Sequence, residues 1–131
     1  MARILLAEDD EAVRSFVKRA LELDKHTVVA AEDGAAAAEV LKEDDDGFDL
    51  MLSDIKMPVM DGIALALVAA RDRPAMPILL MTGFADQRER ASGLDGLVHD
   101  VVTKPFSLAE IRQAVTDAIV GINRDERRLM A

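Results

Sequence analysis

The chemistry available to this sequence rests on Glu8, Asp9, Asp54, Thr82 and Lys104. Asp54 lies in the stretch Phe48–Gly62, FDLMLSDIKMPVMDG, where Leu50, Met51 and Leu52 form an apolar run without helical period. Pro58 interrupts regular structure after it, and Asp61-Gly62 marks a turn. Alone, Asp54 could equally end a strand or cap a turn. Its chemical meaning depends on what joins it. Carboxylates brought together repel and raise one another's pKa, and a divalent cation relieves that repulsion. All-oxygen ligands and an incomplete protein shell suit Mg²⁺, with water completing the coordination. Such a site is suited to phosphoryl transfer. Asp54 would be the nucleophile, the metal and Lys104 would neutralise equatorial oxygens, and the Thr82 hydroxyl would bond one of them.

These residues meet only if the fold brings them to one edge. The chain alternates strand and helix patterns. Strands are predicted over 3–7 (RILLA), 27–31 (TVVAA), 48–53, 78–81 after Pro77, and 98–102. Helices are predicted over 11–23, with Val13, Phe16, Val17, Ala20 and Leu21 on one face and Asp10 as cap, and over 35–43, 63–71 and 86–92. A last helix follows Ser107, with Leu108, Ile111, Val115 and Ile119 on one face. Strand–helix alternation of this kind gives an α/β fold, a doubly wound parallel sheet with helices on both faces. Glu8 and Asp9 follow the first strand, Asp54 the third, Thr82 the fourth and Lys104 the fifth. In a doubly wound sheet those ends share one edge, and a crevice opens where strand order reverses.

Composition narrows the alternatives. A chain of 131 residues, half of them apolar, can bury a core as one domain. Sixteen basic against 25 acidic residues argue against nucleic acid and anionic membrane as partners. Without cysteine there is no disulfide, thiolate metal site or cysteine nucleophile. The N-terminus enters a strand pattern by Ile4 and does not look like a signal peptide, and no apolar run approaches ~18 residues. Glu43–Gly47 (EDDDG) reads as a solvated loop, and the seven methionines read as core packing. His26 and His99 lack ligand-spaced partners, which argues against a histidine metal site. No glycine-rich loop follows a strand, so nucleotide use is not expected.

Glu8-Asp9, the run D-x-x-M-P-x-M-D-G from Asp54 to Gly62, Thr82, and Lys104-Pro105-Phe106, in this order, resemble the response-regulator receiver domain from about Ala2 to Gly121. The resemblance implies the flavodoxin-like version of the fold: five strands in order 2-1-3-4-5 with five helices. It implies Asp54 as phosphoacceptor, with Glu8, Asp9, Asp54 and the Lys56 backbone carbonyl around Mg²⁺, and Thr82 and Lys104 reading the phosphoryl group. The stretches ILLAEDD, LSDIKMPVMDGI, LLMTGFADQRERA and HDVVTKPFSLAEI further resemble the CpdR-type single-domain regulators of alphaproteobacteria. That likeness implies a cytoplasmic signalling module rather than an enzyme. A sensor histidine kinase or histidine phosphotransferase would supply the phosphoryl group, and output would go through ClpX or a ClpXP substrate. Relay of the phosphoryl group onward, or a pseudo-receiver that only binds partners, are the alternative roles. The Lys56 side chain reads as a solvated lysine.

Many receivers carry an aromatic residue three positions before the lysine, where this chain has Val101. Switching would then pass through Phe84, two residues after Thr82, unless Phe84 simply packs on its loop. The family's exchange surface, on the fourth helix, fifth strand and fifth helix, would offer Arg88, Glu89, Arg90 and Arg112. Residues 122–131 read as a charged tail that extends the last helix or is disordered. They are too few for an output domain.

Overall fold

The computed structural model describes residues 1–83, 96–121 and 129. Its five strands are β1 (Arg3–Ala7), β2 (Thr27–Ala31), β3 (Leu50–Asp54), β4 (Ile78–Thr82) and β5 (Asp100–Thr103). Among the described residues the helices are α1 (Glu11–Leu23), α2 (Gly34–Glu43), α3 (Gly62–Asp72) and α4 (Leu108–Val120). The helix expected over 86–92 lies outside the described residues, as do Phe84 and, apart from the exposed Leu129, the tail from 122. No described helix is long and apolar enough to cross a membrane.

The strands are parallel and ordered β2-β1-β3-β4-β5. The apolar runs alternate their side chains between two cores, as a sheet covered on both faces requires. Ile4 and Leu6 of β1 and Leu50 and Leu52 of β3 pack with Val17, Leu21, Ile111 and Val115 from α1 and α4. Leu5, Met51, Ile78 and Leu80 pack with Leu41, Leu65 and Ala69 from α2 and α3. Each helix begins with a side chain that satisfies its unpaired amides. Asp10 accepts from Ala12 N (2.9 Å), Asp33 from Ala36 N (2.7 Å) and Asp61 from Ala64 N (2.8 Å). Ser107 forms a reciprocal capping box with Glu110.

Several expectations shift. β3 starts at Leu50; Phe48 lies ahead of it, beneath the Arg3 guanidinium, which stands 4.1 Å from its ring centre. β5 runs Asp100–Thr103, and Val98 is buried ahead of it. Phe16 is not on the buried face of α1. It is 41% exposed at the helix edge and faces the Phe106 ring at 6.5 Å. The acidic loop after α2 is not simply solvated. Asp44 accepts from Arg3 Nη1 at 2.6 Å and from Gly47 N at 2.7 Å, and Arg73 Nη2 reaches the Leu41 and Asp44 carbonyls at 2.7 and 2.6 Å. Arg112 does not stand free on an exchange surface, because its guanidinium pairs with Asp24 at the end of α1.

Two glycines set how closely the helices approach the sheet edge. A Cβ on Gly62 would stand 2.1 Å from the Asp54 carbonyl oxygen, and one on Gly34 the same distance from the Met60 carbonyl. Side chains at either place would force the helix starts away from the loop that follows Asp54.

Candidate functional site

The order β2-β1-β3 places the topological switch between β1 and β3, and the acidic residues stand at the C-terminal ends of those two strands. Glu8 follows β1 and is fully buried, while Asp9 beside it is exposed. Asp54 closes β3 at 6% exposure. Oxygens of Glu8, Asp9 and Asp54 lie within 4.8 Å of one another. Lys104 reaches in from the loop after β5. Its Nζ donates to Glu8 Oε1 at 2.8 Å and lies 3.2 Å from Asp54 Oδ1. The peptide between Lys104 and Pro105 is cis, and the Lys104 amide donates to the Thr82 carbonyl at 2.7 Å. Thr82 is buried at the end of β4, between β3 and β5. Glu8, Asp9, Asp54 and Lys104 are thus brought together, and Thr82 is tied by its main chain to the lysine. Lys56 lies on the loop leaving Asp54 with its side chain exposed, between the buried Ile55 and Met57.

Burial dominates the electrostatics. It raises the Glu8 carboxyl to about 7, against the hydrogen bond from Lys104 and with reinforcement from the Asp54 charge. Burial also raises Asp54, opposed by the Lys104 ammonium. For Lys104, burial alone would lower the pKa, but the hydrogen bond to Glu8 and the Asp54 charge outweigh it and raise the group. A cluster of oxygen donors, short of positive charge and with one exposed carboxylate, fits a hard divalent cation that keeps part of its water. The residues present therefore suit Mg²⁺.

Other residues behave as scaffold. His26 Nδ1 accepts from Ala2 N at 3.0 Å, and the His99 amide donates to the Ile78 carbonyl at 2.7 Å. Met51, Met57, Met76 and Met81 are buried, whereas Met1 is exposed. Val101 is half-buried against the α2–α3 core, with no aromatic ring to move.

The site also contains groups that the spacing of charged residues did not bring out. Arg14 Nη1 donates to the Glu8 carbonyl at 2.8 Å and lies 3.4 Å from that of Asp9. Helical side chains lean toward the N-terminus, so an arginine one turn past the Asp10 cap reaches back over residues 8 and 9. That rule was a usable signal. The Ser53 hydroxyl donates to the Asp54 carbonyl at 2.9 Å. Val59 has φ +70° and sits under the Met60 N to Pro58 O bond of 2.8 Å, a tight three-residue turn in its strained form.

Comparison with known proteins agrees with this architecture. The chain is 38% identical to the response regulator receiver protein CpdR of Brucella abortus, over 92% of this chain and 99% of that protein. It is 36% identical to the response regulator MprA of Mycobacterium ulcerans over 83% of this chain, which spans 46% of MprA. The crystal structure of response regulator TrrA from Thermotoga maritima, in complex with Mg²⁺-BeF, matches with a TM-score of 0.80 at 25% identity, covering 90% of this chain and 99% of that one. The family model for the response regulator receiver domain matches residues 4–116. With carboxylates clustered at the ends of β1 and β3 and the loop after β5 supplying the lysine on a 2-1-3-4-5 sheet, the chain belongs to the response regulator receiver domain family.

Proposed function

We propose that Asp54 accepts a phosphoryl group from a phosphohistidine on a sensor kinase or phosphotransferase, and that the chain signals by phosphorylation-dependent protein binding. The observation that carries this reading is the Lys104 ammonium held between Glu8 and Asp54 within the three-carboxylate cluster. An Asp54 oxygen attacks phosphorus, the P–N bond breaks, and its electron pair returns to the donor imidazole. Lys104 exchanges part of its contact with Glu8 for the incoming phosphoryl oxygens, a charge-assisted exchange. The Thr82 hydroxyl bonds one of those oxygens. Glu8, Asp9, Asp54 and the Lys56 backbone carbonyl hold Mg²⁺, which when bound neutralises charge on the transferred group. The likeness to TrrA, crystallised with Mg²⁺-BeF, supports both ligands.

Residues 1–121 form the working unit in this reading, with 122–131 a charged tail. The module is cytoplasmic and acts by binding rather than by catalysis. The likeness to CpdR along almost that whole protein supports output through the receiver's own surface. The partner is ClpX or a protein delivered to ClpXP. Incubation with a small phosphodonor such as acetyl phosphate and Mg²⁺ should add one phosphoryl mass to the wild type and none to Asp54→Asn. Labelling that survives in Asp54→Asn, or none in the wild type, sinks the assignment. The second outcome would favour a pseudo-receiver.

A further inference from the structure

The three clustered carboxylates are not held equally. Both oxygens of Glu8 are engaged: Lys104 Nζ donates to one at 2.8 Å and the Asp10 amide to the other at 3.2 Å. Its own amide donates to the Ala31 carbonyl at 3.1 Å. Asp54 is nearly buried and faces Lys104 at 3.2 Å. Asp9 is exposed, and among the described residues no side-chain hydrogen bond or ion pair holds its carboxylate. The main chain of residues 8 and 9 therefore fixes where the Asp9 side chain starts and which rotamers bring its carboxylate to the other two. One side chain grips that main chain. Arg14, half-buried on the second turn of α1, donates to the Glu8 carbonyl at 2.8 Å and reaches the Asp9 carbonyl at 3.4 Å.

We infer that Arg14 is a positioning residue for the cation site, holding the Glu8-Asp9 main chain so that the Asp9 carboxylate meets those of Glu8 and Asp54. This rests on the reading of the cluster as a Mg²⁺ site. Two effects of Arg14 on the cation have opposite signs. Its positive charge repels a divalent ion, so removing it should tighten binding on electrostatic grounds. Its grip on two carbonyls assembles the ligands, so removing it should weaken binding. Groups that orient metal ligands commonly change affinity by 10- to 100-fold, more than one partly screened surface charge at this remove would contribute. The positioning effect therefore wins. A lysine keeps the charge but offers a single point donor in place of the planar fork, so it should restore only part of the effect.

The experiment is calorimetric titration of Mg²⁺ into the full chain for wild type, Arg14→Met and Arg14→Lys, beside amide chemical shifts of the metal-free proteins. Arg14→Met should bind Mg²⁺ about 10-fold more weakly, and Arg14→Lys between the two. The metal-free amides of Glu8, Asp9 and Asp10 should shift while those of α2 stay in place. Unchanged or tighter binding in Arg14→Met overturns the inference, as do unmoved amides at residues 8–10. Should Arg14→Met fail to fold, Arg14→Lys decides: weaker binding supports positioning and unchanged binding overturns it. A wild type that binds no Mg²⁺ rejects the cation site itself, a result distinct from a wild type that binds and variants that bind equally well.

Discussion

Gly62 lies so close to Asp54 that a Cβ on the glycine would stand 2.1 Å from the aspartate's carbonyl oxygen and 2.9 Å from the carbonyl carbon. The obstacle is main chain, which cannot rotate away. Gly62→Ala should therefore cost about 3 kcal/mol, the upper end of overpacking penalties, and lower the melting temperature by roughly 10 °C. Thermal unfolding followed by circular dichroism tests this. A melting temperature within a degree or two of wild type would show that α3 can step back from β3 at little cost.

Glu8 should take stability away from the metal-free protein as pH rises from about 4.5 to 7, against an opposite contribution from His26, whose imidazole burial holds below its usual range. Burial raises the folded-state pKa of Glu8 from 4.5 to about 7. In that window Glu8 binds more protons in the folded state than in the unfolded chain, so its contribution falls with rising pH. The raised Asp54 acts in the same direction. Lys104, raised above 10.5, stays charged throughout and adds no slope. Urea unfolding at stepped pH with chelator should show wild type declining relative to Glu8→Gln, and declining less with saturating Mg²⁺. Stability that rises across this window relative to Glu8→Gln would overturn the assignment.

Val59→Gly should stabilise the chain. Val59 is 87% exposed, so little packing is lost, and its φ of +70° is unfavourable for a β-branched residue. Relief of a left-handed conformation is worth about 1–2 kcal/mol, against about 0.5–1 kcal/mol for the freedom glycine adds to the unfolded chain. The balance is a gain of up to about 1.5 kcal/mol, readable as a higher urea midpoint at unchanged slope. A lower midpoint would mean that the turn holds valine without strain.

The strands were legible because each is a short apolar run bounded by polar or turn residues. β1 and β2 coincide with their predicted bounds, and Asp10 and Ser107 cap their helices as expected, whereas Asp61, read only as part of a turn, proves to be the cap of α3. The clustering of Glu8, Asp9, Asp54 and Lys104 was legible from strand ends alone, since a parallel sheet delivers those ends to one edge. Interactions between segments distant in sequence were not. Nothing local to Asp44 says that Arg3 will bury it, and nothing local to Arg112 says that it will meet Asp24. Phe16 follows the helical period of α1 yet lies beyond the buried stripe, because hydrophobic spacing fixes a direction without the width of the partner surface. Asp33-Gly34 has the local signature of a turn. Its glycine in fact answers to Met60, 26 positions along the chain.

The Arg3–Asp44–Arg73 contacts lie at the far end of the sheet from Asp54, and they close a frame. Arg73 caps α3 and grips the end of α2, while Arg3 binds β1 to the loop between α2 and β3. At the other end Gly34 seats α2 on Met60, and Gly62 seats α3 on Asp54. The helices flanking the acceptor strand are thereby fastened top and bottom, like rungs between two rails. The acceptor strand is thus braced on that face, while Thr82 and Lys104 stand to its other side, at the end of β4 and just after β5.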